Sequence, residues 1–327
     1  MPDSSTRKCI SIITPTFNEE LNVGDCYLAL RTLFEKELPE YDHEHIFTDN
    51  GSSDGTVSML RELARNDRRV KVIVNARNFG PFRSVFNALL STRGDAVVVF
   101  MPADLQDPPA LIPQFVQLWE AGHEVVHGIR ADREEGFVMR NIRRIYYKTV
   151  SRLAEITIPP NVSEFQLIDR VVVEWLRKCD DYYPYVRGMI ANCGFRSTGI
   201  PFTWKARKKG FSKLRLYHLI DQGLNGIISF SNVPMRLGML LGMVIAGCSM
   251  LYALFTAALS IIYFRQLAEP GIPTLIVALF FFGGVQLFFL GLLGEYVSAI
   301  HSQVRKRPMV IERERINFEE TASPAAR

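Results

Sequence analysis

Oxygen-bearing side chains are concentrated in three short segments of the N-terminal half. Pro102-Ala-Asp-Leu-Gln-Asp-Pro-Pro109 sets Asp104, Gln106 and Asp107 directly behind an apolar run, with Pro109 suited to open a helix. Hard oxygen donors at this spacing suit Mg²⁺ or Mn²⁺ bridging to phosphate oxygens; a capping loop is the competing reading. Asp49-Asn-Gly-Ser-Ser-Asp-Gly-Thr56 joins Asn-Gly and Asp-Gly turns to Ser53 or Asp54 as caps for a following helix. Asp49 is then left to accept hydrogen bonds from a ligand. Thr14-Pro-Thr-Phe-Asn-Glu-Glu20 closes an apolar run with proline, then offers amide and carboxylate groups for a ligand or for a turn and helix cap.

Such loops need a frame. Cys9–Thr14, Glu44–Thr48, Val70–Val74 and Ala96–Phe100 are short apolar runs rich in β-branched residues, and helical patterns over Asn22–Glu37, Thr56–Asn66 and Pro81–Ser91 separate them. The alternation predicts an α/β domain whose sheet is mostly parallel, with helices on both faces. Ligands on such sheets gather beyond the carboxyl ends of the strands. There lie Pro15–Glu19, Asp49–Gly55, Arg77–Gly80 and Pro102–Pro109, four polar loops outlining one cleft.

The C-terminal third is a different material and brings the mean hydropathy to +0.07. Leu237–Phe264 holds no charge, and Gly271–Gly294 has Gln286 as its one strongly polar residue. Either stretch is long enough to cross a hydrocarbon core of about 30 Å. Lys and Arg flank the pair on both outer sides, while Arg265 and Glu269 are the only charges between them, which predicts that both large flanks and both termini are cytoplasmic. The N-terminus has no apolar run resembling a signal peptide. The expected organisation is a cytoplasmic domain over 1–212, an amphipathic interfacial helix over 213–232, a transmembrane hairpin over 233–300 and a cytoplasmic tail over 301–327 with a disordered end. This describes a multi-pass membrane protein. A net charge of +4, from 38 basic and 34 acidic residues, is too balanced for a nucleic-acid binder. The five cysteines, at 9, 26, 179, 193 and 248, lack metal or disulfide spacing and fit a reducing compartment.

The order of Pro-Thr-Phe-Asn-Glu, Asp-Asn-Gly-Ser-Ser-Asp-Gly-Thr, Arg77-Asn-Phe-Gly80 and Ala-Asp-Leu-Gln-Asp-Pro-Pro resembles family-2 glycosyltransferases with the nucleotide-sugar-binding, GT-A-like fold. Within that family the chain is most similar to the polyprenyl-phosphate glycosyltransferases, including dolichyl-phosphate mannose and bactoprenol glucose synthases. Later pieces match in order: His127-Gly-Ile-Arg130, Phe165-Gln-Leu-Ile-Asp-Arg170, Lys208-Lys-Gly-Phe-Ser-Lys213, the two apolar stretches and Gly294-Glu-Tyr296. The resemblance implies that Pro15, Thr16, Asn18, Glu19, Asp49, Asn50 and Asn78 hold the nucleotide. It implies Asp104 and Gln106 as metal ligands for Mg²⁺ or Mn²⁺, and Arg130 and Arg140 as contacts to the acceptor phosphate. Arg207, Ser212 and Lys213 match a basic loop that closes over the phosphates, where guanidinium forks and a lysine point charge would be apt. The same basic residues would also be drawn to anionic lipid.

Four positions depart from the family pattern: Pro102 replaces the first acid of Asp-Ala-Asp, Asn50 follows Asp49, Glu164-Phe-Gln166 replaces Asp-Phe-Arg, and Pro81-Phe82 follows Arg-Asn-Phe-Gly. The expected activity is transfer of a hexose, with inversion, from a nucleotide-diphosphate sugar to polyprenyl phosphate at the bilayer surface, UDP-glucose being the first candidate donor. GDP-mannose-dependent transfer and a non-catalytic membrane scaffold are the alternatives. Self-association into a homo-oligomer is allowed by this reading.

Overall fold

The computed structural model describes residues 7–130, 162–179, 181–203, 244, 251, 272–305 and 308–318. Eight strands form one sheet: β1 (Cys9–Thr16), β2 (Asp42–Asp49), β3 (Val70–Asn75), β4 (Ala96–Val98), β5 (Val125–Arg130), β6 (Val162–Asp169), β7 (Ser197–Phe202) and β8 (Glu312–Ile316). Their order across the sheet is β7-β5-β6-β4-β1-β2-β3-β8. The centre, β4-β1-β2-β3, is parallel as expected, whereas β6 runs antiparallel between β4 and β5, and β8 runs antiparallel along the outer edge of β3. The sheet is therefore mixed.

The helices of this unit are α1 (Glu20–Glu37), α2 (Thr56–Asn66), α3 (Pro81–Leu89), α4 (Ile112–Glu120), α5 (Arg170–Leu176) and α6 (Val186–Asn192), with a 3₁₀ turn Pro109–Leu111 leading into α4. Successive strand residues face opposite sides. Phe47 packs in a cluster with Val23 and Tyr27 of α1 and Leu60 of α2, while its neighbour Thr48 meets Ser84 of α3 at 2.7 Å. Helices thus cover both faces, which is why the central strands read as mostly apolar runs.

β1 and β2 neighbour each other, but β4 returns to the far side of β1. This reversal leaves a crevice beyond the carboxyl ends of β1 and β4, the place where doubly wound sheets bind ligands.

The amino end of the sheet is tied by buried charge. Glu44, 7% exposed, accepts from Lys71 Nζ at 2.5 Å, from Ser11 Oγ at 2.5 Å and from the Arg93 N–H at 2.8 Å. Burial pushes its pKa up, but these donors prevail and hold it below the ordinary value. Two histidines on the same strand are kept neutral. Burial lowers His45 to about 3, its Nε2 lying 2.8 Å from Thr14 Oγ1, and burial with Arg69 nearby lowers His43 to about 4. The unfolded chain protonates these imidazoles below about pH 6.5 and the folded chain does not, so protons favour unfolding. Unfolding free energy should fall as pH drops through about 6.5 and keep falling toward about 4. A urea midpoint unchanged between about pH 7 and pH 5 would contradict this account.

A second compact unit contains the long helix α7 (Ile272–Val304), 33 residues covering the second apolar stretch. Counted over the described residues alone, no helix is long and apolar enough to cross a membrane. The interfacial helix expected over 213–232 lies outside the described residues, as does the first stretch apart from Val244 and Leu251.

Candidate active site

The four loops expected at the carboxyl edge are brought together, with altered roles. Pro15 and Thr16 belong to β1 itself and pair in register with Thr48 and Asp49 of β2. The Thr16 carbonyl accepts the Asn50 N–H at 2.9 Å. Asn18 takes a left-handed backbone, φ 53°, which asparagine tolerates better than most residues. Its Oδ1 accepts the Ser53 N–H at 2.8 Å and its own N–H donates to Ser52 Oγ at 2.8 Å, pinning the first loop to the second. Glu19 starts α1: its carbonyl accepts from the Asn22 and Val23 amides, and its carboxylate accepts from Asn22 Nδ2 at 2.6 Å.

Asp49 is fully buried, and protein donors occupy both carboxylate oxygens. Oδ2 accepts the Gly51 and Ser52 amides at 3.0 and 2.9 Å, and Oδ1 accepts the hydroxyls of Thr16 at 3.3 Å and Ser52 at 2.5 Å. The sequence leaves Asp49 open to a ligand; in the structure its carboxylate is turned onto its own loop. Gly51 is required there. It has φ 73°, and a Cβ would stand 3.0 Å from the Arg77 backbone. Asn50 joins the second loop to the third, its Oδ1 accepting from Asn75 Nδ2 at 3.1 Å and the Phe79 N–H at 3.3 Å. Asn78 closes an Asx turn on the Gly80 N–H at 2.9 Å.

In the fourth loop Asp104 and Gln106 are partly exposed, and Asp104 Oδ1 accepts the Gln106 N–H at 3.2 Å. Phe100 and Leu105, φ 83° and 56°, hold left-handed conformations that cost roughly 1–3 kcal/mol each for such residues. With Asn18 they make three of the four non-glycine residues of positive φ among the described residues, so backbone strain is concentrated in this cleft. Asp107 does not join Asp104 and Gln106 as the sequence suggested. It is buried, with Arg130 at the end of β5 donating to its two oxygens at 3.3 and 3.2 Å and Ser163 Oγ at 3.4 Å. Burial pushes its pKa up against the pull of Arg130. Asp107 is therefore the counter-ion of Arg130.

Beside them is a pair that sequence reasoning missed. Arg187 of α6 lies 3.5 Å from the Glu164 carboxylate and donates to the Val162 carbonyl at 2.7 Å. Burial raises the Glu164 pKa, with Arg187 and Arg130 opposing. No local pattern marks this pair, because its members come from different elements. The signal available was Glu164 within a matched motif. His127 sits in β5 and burial holds it neutral. Arg140, Arg207, Ser212 and Lys213 lie outside the described residues.

This frame and its loops coincide with a known family. The family model "Glycosyl transferase family 2" matches residues 11–176, from within β1 to the end of α5. The chain is 32% identical over 302 residues to the uncharacterized glycosyltransferase YkcC of Bacillus subtilis, covering 92% of each chain. It is 33% identical over 307 residues to the bactoprenol glucosyl transferase of Shigella phage SfX, covering 94% of this chain and 99% of that one. Among solved structures, glucosyl-3-phosphoglycerate synthase of Mycobacterium tuberculosis in complex with Mn²⁺, uridine-diphosphate and phosphoglyceric acid is similar with a TM-score of 0.46 at 20% identity, over 68% of this chain and 76% of that one. Matched by the family model across its central sheet and by these relatives over nine-tenths of its length, the chain is a glycosyltransferase and belongs to glycosyl transferase family 2.

Proposed function

We propose that this glycosyltransferase moves a hexose from a nucleotide-diphosphate sugar, UDP-glucose first among candidates, to a polyprenyl phosphate, and that a C-terminal hairpin anchors it in the bilayer that holds the acceptor. The observation carrying this reading is the extent of the likeness to bactoprenol glucosyl transferases, which runs beyond the catalytic sheet and through the apolar C-terminal third. A polyprenyl chain leaves a bilayer at a cost of about 0.8 kcal/mol per CH₂ exposed, so the enzyme must go to its acceptor. Chain topology excludes a single crossing and accommodates a hairpin: β3 precedes both apolar stretches, β8 follows them, and the two strands are paired. A chain that leaves a sheet and rejoins it crosses any membrane an even number of times.

The acceptor oxygen is anionic near neutral pH and needs no strong base, which accords with a cleft whose described loops hold no histidine. The protein's task is orientation and charge stabilisation. The nucleotide would rest on the cradle of Thr16, Asn18, Asn50 and Asn78. Arg130, steered by Asp107, would face the acceptor phosphate. In-line attack opposite the departing diphosphate inverts the anomeric centre.

Among the described residues no three acidic, histidine or cysteine side chains gather into a metal cage. The Asp104 carboxylate and Gln106 amide form a sparse hard-oxygen set that fits Mg²⁺ or Mn²⁺, ions that keep diphosphate and water oxygens as further ligands. When bound, such an ion would offset charge on the leaving diphosphate.

Purified protein given undecaprenyl phosphate and UDP-glucose should release UDP and form a lipid-linked sugar. Failure with every UDP-hexose and with GDP-mannose, or equal release without the lipid, would reject the reading. In cells, reporters fused at the C-terminus and at Glu269 should report opposite sides of the membrane. The same side for both would remove the hairpin.

A further inference from the structure

The last described strand has no part in the chemistry above, yet it begins beside the nucleotide cradle. β8 pairs with β3 from Val72↔Ile316 to Val74↔Glu314; the register then shifts and Asn75 pairs with Glu312, leaving Arg313 as the extra residue of a bulge. The bulge lies at the point where β3 gives way to the third site loop. Beyond it the Ile311 carbonyl accepts the Ala76 N–H at 2.8 Å, so β8 holds the first residue of that loop. Glu312 reaches further: its Oε1 accepts from Asn87 Nδ2 of α3 at 2.6 Å, and Arg315 donates to the same carboxylate at 2.7 Å. One carboxylate thus fastens β8 to the helix that follows the loop, while the backbone fastens it to the strand that precedes it.

The loop needs such anchors. Asn75 is buried, and its Nδ2 donates both to Asn50 Oδ1 and to Ser84 Oγ, at 3.1 and 2.8 Å, but its Oδ1 has no hydrogen-bond partner. An unsatisfied buried acceptor works against this arrangement. From Asn75 the path continues through Asn50 into the Asp49 turn, where Gly51 rests against the Arg77 backbone. Shifting Ala76 therefore moves both loops of the cradle.

We propose that β8 is a positioning element for the donor site and that Glu312 is its principal positioning residue, setting donor affinity from a place that touches neither substrate. The inference rests on the reading that this cradle binds the donor nucleotide. Two variants sever the same bond from opposite sides, Glu312→Ala on β8 and Asn87→Ala on α3. In full-length protein each should raise the donor KM and the Kd for UDP about tenfold. kcat and the KM for polyprenyl phosphate should stay within about twofold. Glu312→Gln keeps an acceptor for Asn87 and should recover most of the affinity. A merely structural role would lower the melting temperature and active fraction without this split between donor KM and kcat. Wild-type UDP affinity in both alanine variants would overturn the proposal alone. So would parallel losses in kcat and both KM values. Absence of UDP binding by the unaltered chain would overturn the functional reading, and this inference with it.

Discussion

Asp104→Ala should abolish sugar transfer while leaving the protein folded. Asp104 stands partly exposed in the strained turn behind β4, at the crevice between β4 and β1. Asp107, the acid three residues on, is committed to Arg130. Pro102 supplies no carboxylate where the family pattern has one. The loop therefore has no second acid to take over. Loss of one group that stabilises developing charge costs about 3 kcal/mol or more, on the order of a hundredfold in rate. Circular dichroism and a melting temperature like the wild type's should accompany the loss, since Asp104 is partly exposed at the cleft and not in the core. Turnover at saturating Mg²⁺ or Mn²⁺ measures the effect, and retention of more than a tenth of the wild-type rate would show that Asp104 does not carry the metal.

Glu44→Ala should have an equally large effect of the opposite kind, on stability with little on the chemistry of the molecules that remain folded. The residue lies at the amino end of β2, and the substitution would leave the Lys71 ammonium, 12% exposed, without its counter-ion and the Arg93 amide without its acceptor. Breaking a buried ion pair from one side typically costs about 3–5 kcal/mol, because the surviving charge stays desolvated. Replacing both members, Glu44→Leu with Lys71→Met, should recover most of that loss. Chemical denaturation of the sheet unit separates the cases: a loss below about 1 kcal/mol in the single variant would mean that the pair is solvated in solution.

Much of the frame was legible in local pattern. The runs that became β1 to β4 are mostly apolar because helices cover both faces, with Ser11, Glu44 and Lys71 as polar members toward the amino end, and α2 begins at Thr56 and ends at Asn66 as its turn and periodicity indicate. Strand-then-polar-loop order was enough to collect four loops at one edge, since parallel strands joined by right-handed crossovers must end on the same side. The C-terminal strand was not legible. Glu-Arg-Glu-Arg-Ile lies on an open edge with alternate residues exposed, and a charged edge strand reads like a solvated tail.

The cleft shows where local pattern ends. Residue types told of oxygen donors for phosphate and metal, and their spacing told that they follow strands. Which oxygen faces the ligand was decided partly elsewhere: Asp49 takes one bond from Thr16 of another strand beside those of its own turn, and Asp107 is filled by Arg130 and Ser163 from β5 and β6. Glu164 meets Arg187 in the same way. Periodicity records whether a stretch is buried, a property each segment carries by itself. A buried carboxylate must find donors wherever the fold brings them, and for Asp107 and Glu164 those donors come from other elements, so the sequence determined the frame, its chemical stock and the bonds inside each turn, while tertiary packing assigned these buried charges their partners.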